Sequence, residues 1–204
     1  NAVTTKSVVE IRKNQTDVQK DTTTSASPTS STSQTTTTQK TTKRIVAAKF
    51  CMPIDSEIIK ESVEYIKSKI KCTPSIGLIL GSGLGDIAEE VEDATYIDYK
   101  DVPHMPVSKV IGHKGRFVIG KISGKDVIMM QGRFHYYEGH NPEIIGLPIY
   151  IMKLLGVNDI VITNAAGGVN TTFNAGDLMI ISDQINGAGV NPLIGENNDD
   201  LGPR

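Results

Sequence analysis

Between residues 131 and 139 the chain reads Gln131-Gly-Arg-Phe-His-Tyr-Tyr-Glu-Gly139, which packs Arg133, His135, Tyr137 and Glu138 into six residues. An arginine offers a planar fork of donors that matches a phosphate through two parallel hydrogen bonds. A histidine can donate to the same anion, and a neighbouring carboxylate can fix its tautomer and orientation. Tyr137 combines an apolar ring face with a hydroxyl, which suits a sugar. The structural alternative is a solvated loop with one buried aromatic, and packing alone does not call for this set of side chains.

A second stretch, Ile76-Gly-Leu-Ile-Leu-Gly-Ser-Gly-Leu-Gly85, is a short apolar strand running into alternating glycines. Glycine reaches positive φ cheaply, so Gly81, Gly83 and Gly85 let the backbone turn and present N–H groups to an anion. Ser82 adds a hydroxyl, and a helix starting near Asp86 would add its positive end. The P-loop pattern fails, because Gly85 is followed by Asp86 and Ile87 instead of Lys and Ser/Thr. The dinucleotide fingerprint lacks its third glycine, since that position is Asp86, although Asp98 follows a predicted second strand. A nicotinamide-dependent oxidoreductase is therefore disfavoured, and a tight strand-to-helix turn without ligand is the plain alternative.

Two more loops carry chemistry. Thr163-Asn-Ala-Ala-Gly-Gly168 has side chains small enough for a flat or charged ligand to reach the backbone. Gly112-His-Lys-Gly-Arg116 brings one histidine and two cations, and a lone histidine there is more often structural than catalytic. His104 and His140 gain no role from their context.

These loops need a scaffold. Apolar runs at Ile76–Leu80, Thr95–Ile97, Arg116–Ile122, Val127–Met130, Ile160–Thr163 and Leu178–Ile181 predict strands, with a tight turn at Ser123-Gly124. Ile58, Ile59, Val63, Ile66 and Ile70 recur at helical spacing and predict a helix over Ser56–Lys71, capped by Asp55 or Ser56. A second helix is expected over Pro142–Leu155, with Asn141 as cap, Gly156 past its end and Pro148 kinking or shortening it. Strands alternating with helices predict an α/β fold, a central mixed and largely parallel sheet flanked by helices on both faces. Loops after the carboxyl ends of its strands are where ligands bind in such sheets.

Bulk properties narrow the classes. The 204 residues carry a net charge of −2 without a long basic block, which argues against nucleic-acid binding. No apolar run approaches the ~20 residues of a membrane helix, and the N-terminus lacks the apolar core of a signal peptide. Cys51 and Cys72 form no disulfide framework or metal-ligand pattern, so a reduced cytoplasmic protein is expected. From Asp21 to Thr42, 16 of 22 residues are Ser or Thr, too polar to offset the entropy of ordering. Residues 1–43 are thus expected to be a disordered tail, with folding from about Arg44.

In this order, Gly81-Ser-Gly-Leu-Gly85, Gly112-His-Lys-Gly-Arg116, Gln131-Gly-Arg-Phe-His-Tyr-Tyr-Glu-Gly139 and Thr163-Asn-Ala-Ala-Gly-Gly168 resemble the motifs of the trimeric purine nucleoside phosphorylases. The resemblance runs from about Ser56 to Arg204, and the Gly-Ser-Gly loop favours this family over the related methylthioadenosine phosphorylases. It implies phosphorolysis of purine nucleosides to free base and ribose 1-phosphate, in a cytoplasmic homotrimer with phosphate as co-substrate and no metal or organic cofactor. It further implies that Ser82, Arg133, His135 and the backbone N–H of Ala165 bind phosphate, with His113 close by. Tyr137 and His135 would face the ribose, Glu138 would orient His135, and Ala166 and Gly167 would line the purine. His135, Glu138 and His113 are the catalytic set so implied. Members of the family continue well beyond the position matching Arg204, so residues 44–204 read as the N-terminal part of such a domain. The alternative is a truncated or non-catalytic relative that binds phosphate or acts through partners.

Overall fold

A computed structural model describes residues 6–13, 54–107, 114–197 and 199 of the chain. Strands β1 (Lys6–Lys13), β2 (Ile76–Leu80), β3 (Glu92–Asp98), β4 (Arg116–Ile122), β5 (Lys125–Gln131), β6 (Asp159–Ala166) and β7 (Met179–Ile180) form one sheet in the order β3-β4-β5-β2-β6-β1-β7. At its heart β2 runs parallel to both β5 and β6. The flanks are antiparallel, with β3 on β4, β4 on β5 and β1 on β6, while β7 adds to β1 in parallel. The sheet is therefore mixed, with its parallel pairing centred on β2.

Local chemistry accounts for the elements. β4 and β5 join through Ser123 and Gly124, at φ 49° and 73°, the two successive positive values of a hairpin turn that follows the strands' own twist. Helix α1 (Ser56–Lys67) starts where the Asp55 carboxylate accepts the Glu57 N–H at 3.0 Å. It stops four residues before the expected end, because the Lys69 and Ile70 N–H groups both turn back onto the Ile66 carbonyl. Helix α2 (Pro142–Leu155) has proline at its first position and ends on Gly156 at φ 106°, a left-handed conformation that suits glycine. It continues through Pro148 to the expected end, with Pro148 itself buried.

Successive residues of the inner strands pack on opposite faces. Phe117, Ile119, Ile128 and Met130 join Ile59, Val63 and Ile66 of α1 and Leu147, Ile151 and Met152 of α2 in the larger core. Val118, Val127, Met129 and Leu80 face the other way, onto Ala88 and Val91 around a short 3-10 helix, Gly85–Glu90. Among the described residues no helix is long and apolar enough to cross a membrane.

Three further expectations change. Lys6–Lys13, inside the stretch expected to be a disordered tail, forms β1 beside β6, with Val9 opposite Thr163 and Lys13 opposite Asp159. Residues 14–53, including the Ser/Thr-rich run, lie outside the described residues. The helix expected after Gly85 is a 3-10 helix of six residues, too short to carry much of a dipole. The apolar strand expected over Leu178–Ile181 is two residues long, Met179–Ile180, exposed and paired with β1 at the end of the sheet.

Phe117 is fully buried and meets the Tyr99 ring edge-on, with centroids 5.0 Å apart. Phe117→Ala should lower stability of the full-length protein by about 3–5 kcal/mol, through lost transfer energy and a residual cavity. Lys121→Ala, at an exposed position of the same strand, should stay within about 0.5 kcal/mol. Urea unfolding of both variants checks the contrast.

Candidate active site

Because β5, β2 and β6 are parallel neighbours, their carboxyl ends reach one edge of the sheet together. Leu80 pairs with Gln131 and Ile79 with Ile162, so Ser82, Arg133 and Ala165 all follow within three residues of that registered edge. The topology thus brings three loops to one place from positions far apart in sequence.

Thr163, only 5% exposed, ties those strand ends together. Its Oγ1 accepts the Gly81 N–H at 2.8 Å and donates to the Ile79 carbonyl at 3.1 Å. Its own carbonyl accepts from an Arg133 guanidinium nitrogen at 2.9 Å. Arg133 is half-buried, and that burial pulls its pKa below the ordinary value; an arginine nonetheless stays charged in a protein.

The loop's three glycines are not equivalent. A Cβ on Gly81 would press into the Thr163 carbonyl and lie 2.9 Å from Asn164 Cα, so Gly81 permits close approach of β2 to β6. Gly83 adopts φ 86° and leads the turn, while a Cβ on Gly85 would meet nothing within 4 Å. Ser82, between the first two, is exposed.

On the next loop, His135 and Glu138 form a reciprocal cap on a short 3-10 turn, Tyr136–Glu138. The Glu138 carboxylate accepts the His135 backbone N–H at 2.8 Å and lies 3.9 Å from His140 Nε2. Glu138 thereby holds the His135 main chain. The Tyr137 ring is 77% exposed and stacks on His135, with centroids 4.8 Å apart and planes 14° from parallel. Ala165 and Ala166 end β6, exposed and opposite Ser7 and Lys6 of β1, and Gly167 follows them in an open loop. His113 lies outside the described residues.

Several positioning groups were not legible in the sequence. Gln131, 3% exposed, donates from Nε2 to the Gly85 carbonyl at 2.7 Å and to Glu89 Oε1 at 2.9 Å, while its Oε1 accepts from Arg116 Nε at 2.7 Å. Glu89 Oε1 also accepts from Lys114 and from Arg116, and Arg116 lies over the Tyr96 ring at 4.1 Å. The hydrogen bonds from Lys114 and Gln131 hold the Glu89 carboxyl at about pKa 2, below its ordinary 4.5. Its stabilising contribution is therefore present above that ordinary value and is lost as pH falls through about 2. Tyr99, buried with its phenol pKa pushed up by desolvation, donates to the Gly132 carbonyl at 2.7 Å and so braces the peptide before Arg133. The available signal was a polar residue, Gln131 or Thr163, closing an apolar strand.

The arrangement also removes the dinucleotide reading. A cofactor-binding βαβ unit would place the strand ending at Asp98 parallel and next to β2. Here β3 lies at the far edge, antiparallel to β4.

The mixed α/β sheet thus gathers the Ser82 loop, Arg133 and the end of β6 at the carboxyl edge of its parallel strands. Residues 75–204 match the model of the phosphorylase superfamily, and the chain belongs to that family. It is 53% identical over 146 residues to purine nucleoside phosphorylase 1 of Geobacillus stearothermophilus, covering 72% of this chain and 53% of the relative. To the Rattus norvegicus purine nucleoside phosphorylase it is 42% identical over 151 residues, covering 72% of this chain and 52% of the other. Among solved structures, isoform 2 of the Schistosoma mansoni purine nucleoside phosphorylase, in complex with cytosine and ribose-1-phosphate, superposes with a TM-score of 0.69 at 42% identity. That superposition covers 75% of this chain and 55% of the other. The chain spans about half the length of the curated relatives it matches.

The glycine geometry is directly testable. Gly81→Ala should cost about 1–3 kcal/mol by forcing β2 from β6, whereas Gly85→Ala should stay within about 0.5 kcal/mol. Denaturant unfolding of the two full-length variants should separate them.

Proposed function

We propose that the full-length protein is a purine nucleoside phosphorylase, which cleaves the N-glycosidic bond of purine nucleosides with inorganic phosphate. The observation that carries this reading is the convergence of the Ser82 loop, Arg133 and the β6 end at one sheet edge, laced by Thr163. The relatives named purine nucleoside phosphorylase support the choice of reaction, and a related structure holds ribose-1-phosphate, the sugar product.

In this reading the Ser82 hydroxyl, the Arg133 guanidinium, His135 and the Ala165 N–H hold phosphate beneath the anomeric carbon. As the bond from C1′ to the purine nitrogen lengthens, positive charge builds on the sugar and the electron pair leaves with the purine. A held phosphate stabilises that oxocarbenium-like cation and then forms the new C1′–O bond, while the departing base takes up a proton. Preorganised charges and donors at the reacting centre are usually the largest catalytic contribution. Tyr137 and His135 face the ribose, Glu138 holds the histidine's segment, and Ala166 and Gly167 leave room for the purine plane. His113 completes the phosphate set. The reaction needs no metal or organic cofactor, and the protein acts as a cytoplasmic homotrimer.

The test is a coupled assay for hypoxanthine release from inosine by the full-length protein. Release should occur only with phosphate present, and equal rates without it would identify a hydrolase instead. Arg133→Ala removes a charge-assisted contact of about 1.5–3 kcal/mol, so apparent phosphate affinity should fall by about tenfold or more. An unchanged phosphate affinity with a weakened nucleoside affinity would remove Arg133 from the anion site.

A further inference from the structure

The anion loop Gly81–Gly85 has two ends, and they are held differently. Its Gly81 end is built into the sheet through the buried Thr163 hydroxyl. Its middle has little packing of its own: Ser82 and Gly83 are exposed, and a Cβ at Gly83 or Gly85 would meet nothing within 4 Å. The Gly85 end is tied by the Gln131 side chain, which donates to the Gly85 carbonyl at 2.7 Å.

That tie depends on which way the Gln131 amide points. With Nε2 toward Gly85, the amide meets two acceptors, the Gly85 carbonyl and Glu89 Oε1, while its oxygen meets the Arg116 donor. The reversed amide would set an oxygen against both acceptors and an NH2 against a cation, so the orientation is fixed by its neighbours. Glu89 supplies one side of that selection. It also sits on the 3-10 helix that begins at Gly85, and its Oε1 accepts from Lys114 and Arg116 at the start of β4. One carboxylate oxygen thereby joins the loop's own helix to β4 and to the residue that ends β5, two residues before Arg133.

We propose that Glu89 is a positioning residue of the phosphate site: through Gln131 it fixes the Gly85 end of the anion loop and so sets the affinity for phosphate, while touching no substrate itself. The inference rests on the reading of this loop as the phosphate site. An exposed ion pair with no other duty is worth little; what sets this one apart is its coupling to a buried amide that holds the loop carbonyl. A displacement of about 1 Å in groups that position a reacting partner can cost about a hundredfold in rate, so a modest loosening at Gly85 is enough to register.

The experiment measures binding of inorganic phosphate alone, by calorimetry, to the full-length protein and to Glu89→Ala, Glu89→Asp and Glu90→Ala. The KM values for phosphate and inosine accompany it. Glu89→Ala should bind phosphate about 5–30-fold more weakly, the effect of losing one or two kcal/mol, with the inosine KM unchanged. Glu89→Asp keeps the charge beside Lys114 and Arg116 but falls one methylene short of Gln131, so it too should weaken phosphate. Glu90→Ala, an exposed neighbour on the same helix, should match the wild type. Wild-type phosphate affinity in a folded Glu89→Ala protein would overturn the inference, and the same result in Glu89→Asp would do so if the alanine variant did not fold. A merely structural role would lower the melting temperature and leave phosphate affinity alone, which also overturns it. If the wild type itself binds no phosphate, the reading of the site falls and the inference with it, a result distinct from the other two.

Discussion

The Thr163 hydroxyl is the constraint on which the site depends. Three parallel strands can be brought to a common edge by hydrophobic packing, but packing does not determine how their last peptides face one another. Thr163 does so by accepting from Gly81, donating to Ile79 and offering its carbonyl to Arg133. The two hydroxyl bonds are buried, and an unmade partner there costs about 1–3 kcal/mol. The Gly81 loop and the arginine are therefore placed relative to each other before any ligand arrives.

The same logic recurs around that node. Gly81 lacks a Cβ because β2 passes against the β6 backbone, and the turn that follows relies on Gly83 at positive φ. Gln131 and Tyr99 hold carbonyls on either side of the arginine's strand end, Gly85 and Gly132. Polar side chains thus sit where the apolar strands stop and fix the peptides of the loops that follow. The two helices on one face and the short 3-10 helix on the other bury the middle strands β4 and β5 most fully.

Much of this was legible in the residues. β2, β4 and α2 fall on their expected bounds, because an apolar run, a hairpin turn at Ser123-Gly124 and the pair Pro142 and Gly156 are local signals. Three of the four loops, those of Ser82, Arg133 and Ala165, come to one sheet edge because they follow parallel strands, while Gly112 and His113 lie outside the described residues. α1 was overextended because Ile70 keeps the helical spacing after the backbone has turned back on Ile66. β1 was missed because Val8, Val9 and Ile11 adjoin a long polar stretch, and their pairing is with β6, more than 140 residues away. Thr163, Gln131 and Glu89 escaped for a related reason. Their partners lie 82, 46 and 42 positions away, for Gly81 with Thr163, Gly85 with Gln131 and Glu89 with Gln131 respectively. Nothing in the local pattern reports a bond of that span.

The most direct test of a preformed cradle is the phosphate affinity of full-length Thr163→Val beside Thr163→Ser. Valine keeps the shape and removes both hydroxyl bonds, whereas serine keeps the hydroxyl and loses a methyl. With one or two kcal/mol of organisation lost, Thr163→Val should bind inorganic phosphate about 5–30-fold more weakly, while Thr163→Ser stays near the wild type. A folded Thr163→Val protein that binds phosphate as tightly as the wild type would contradict the account.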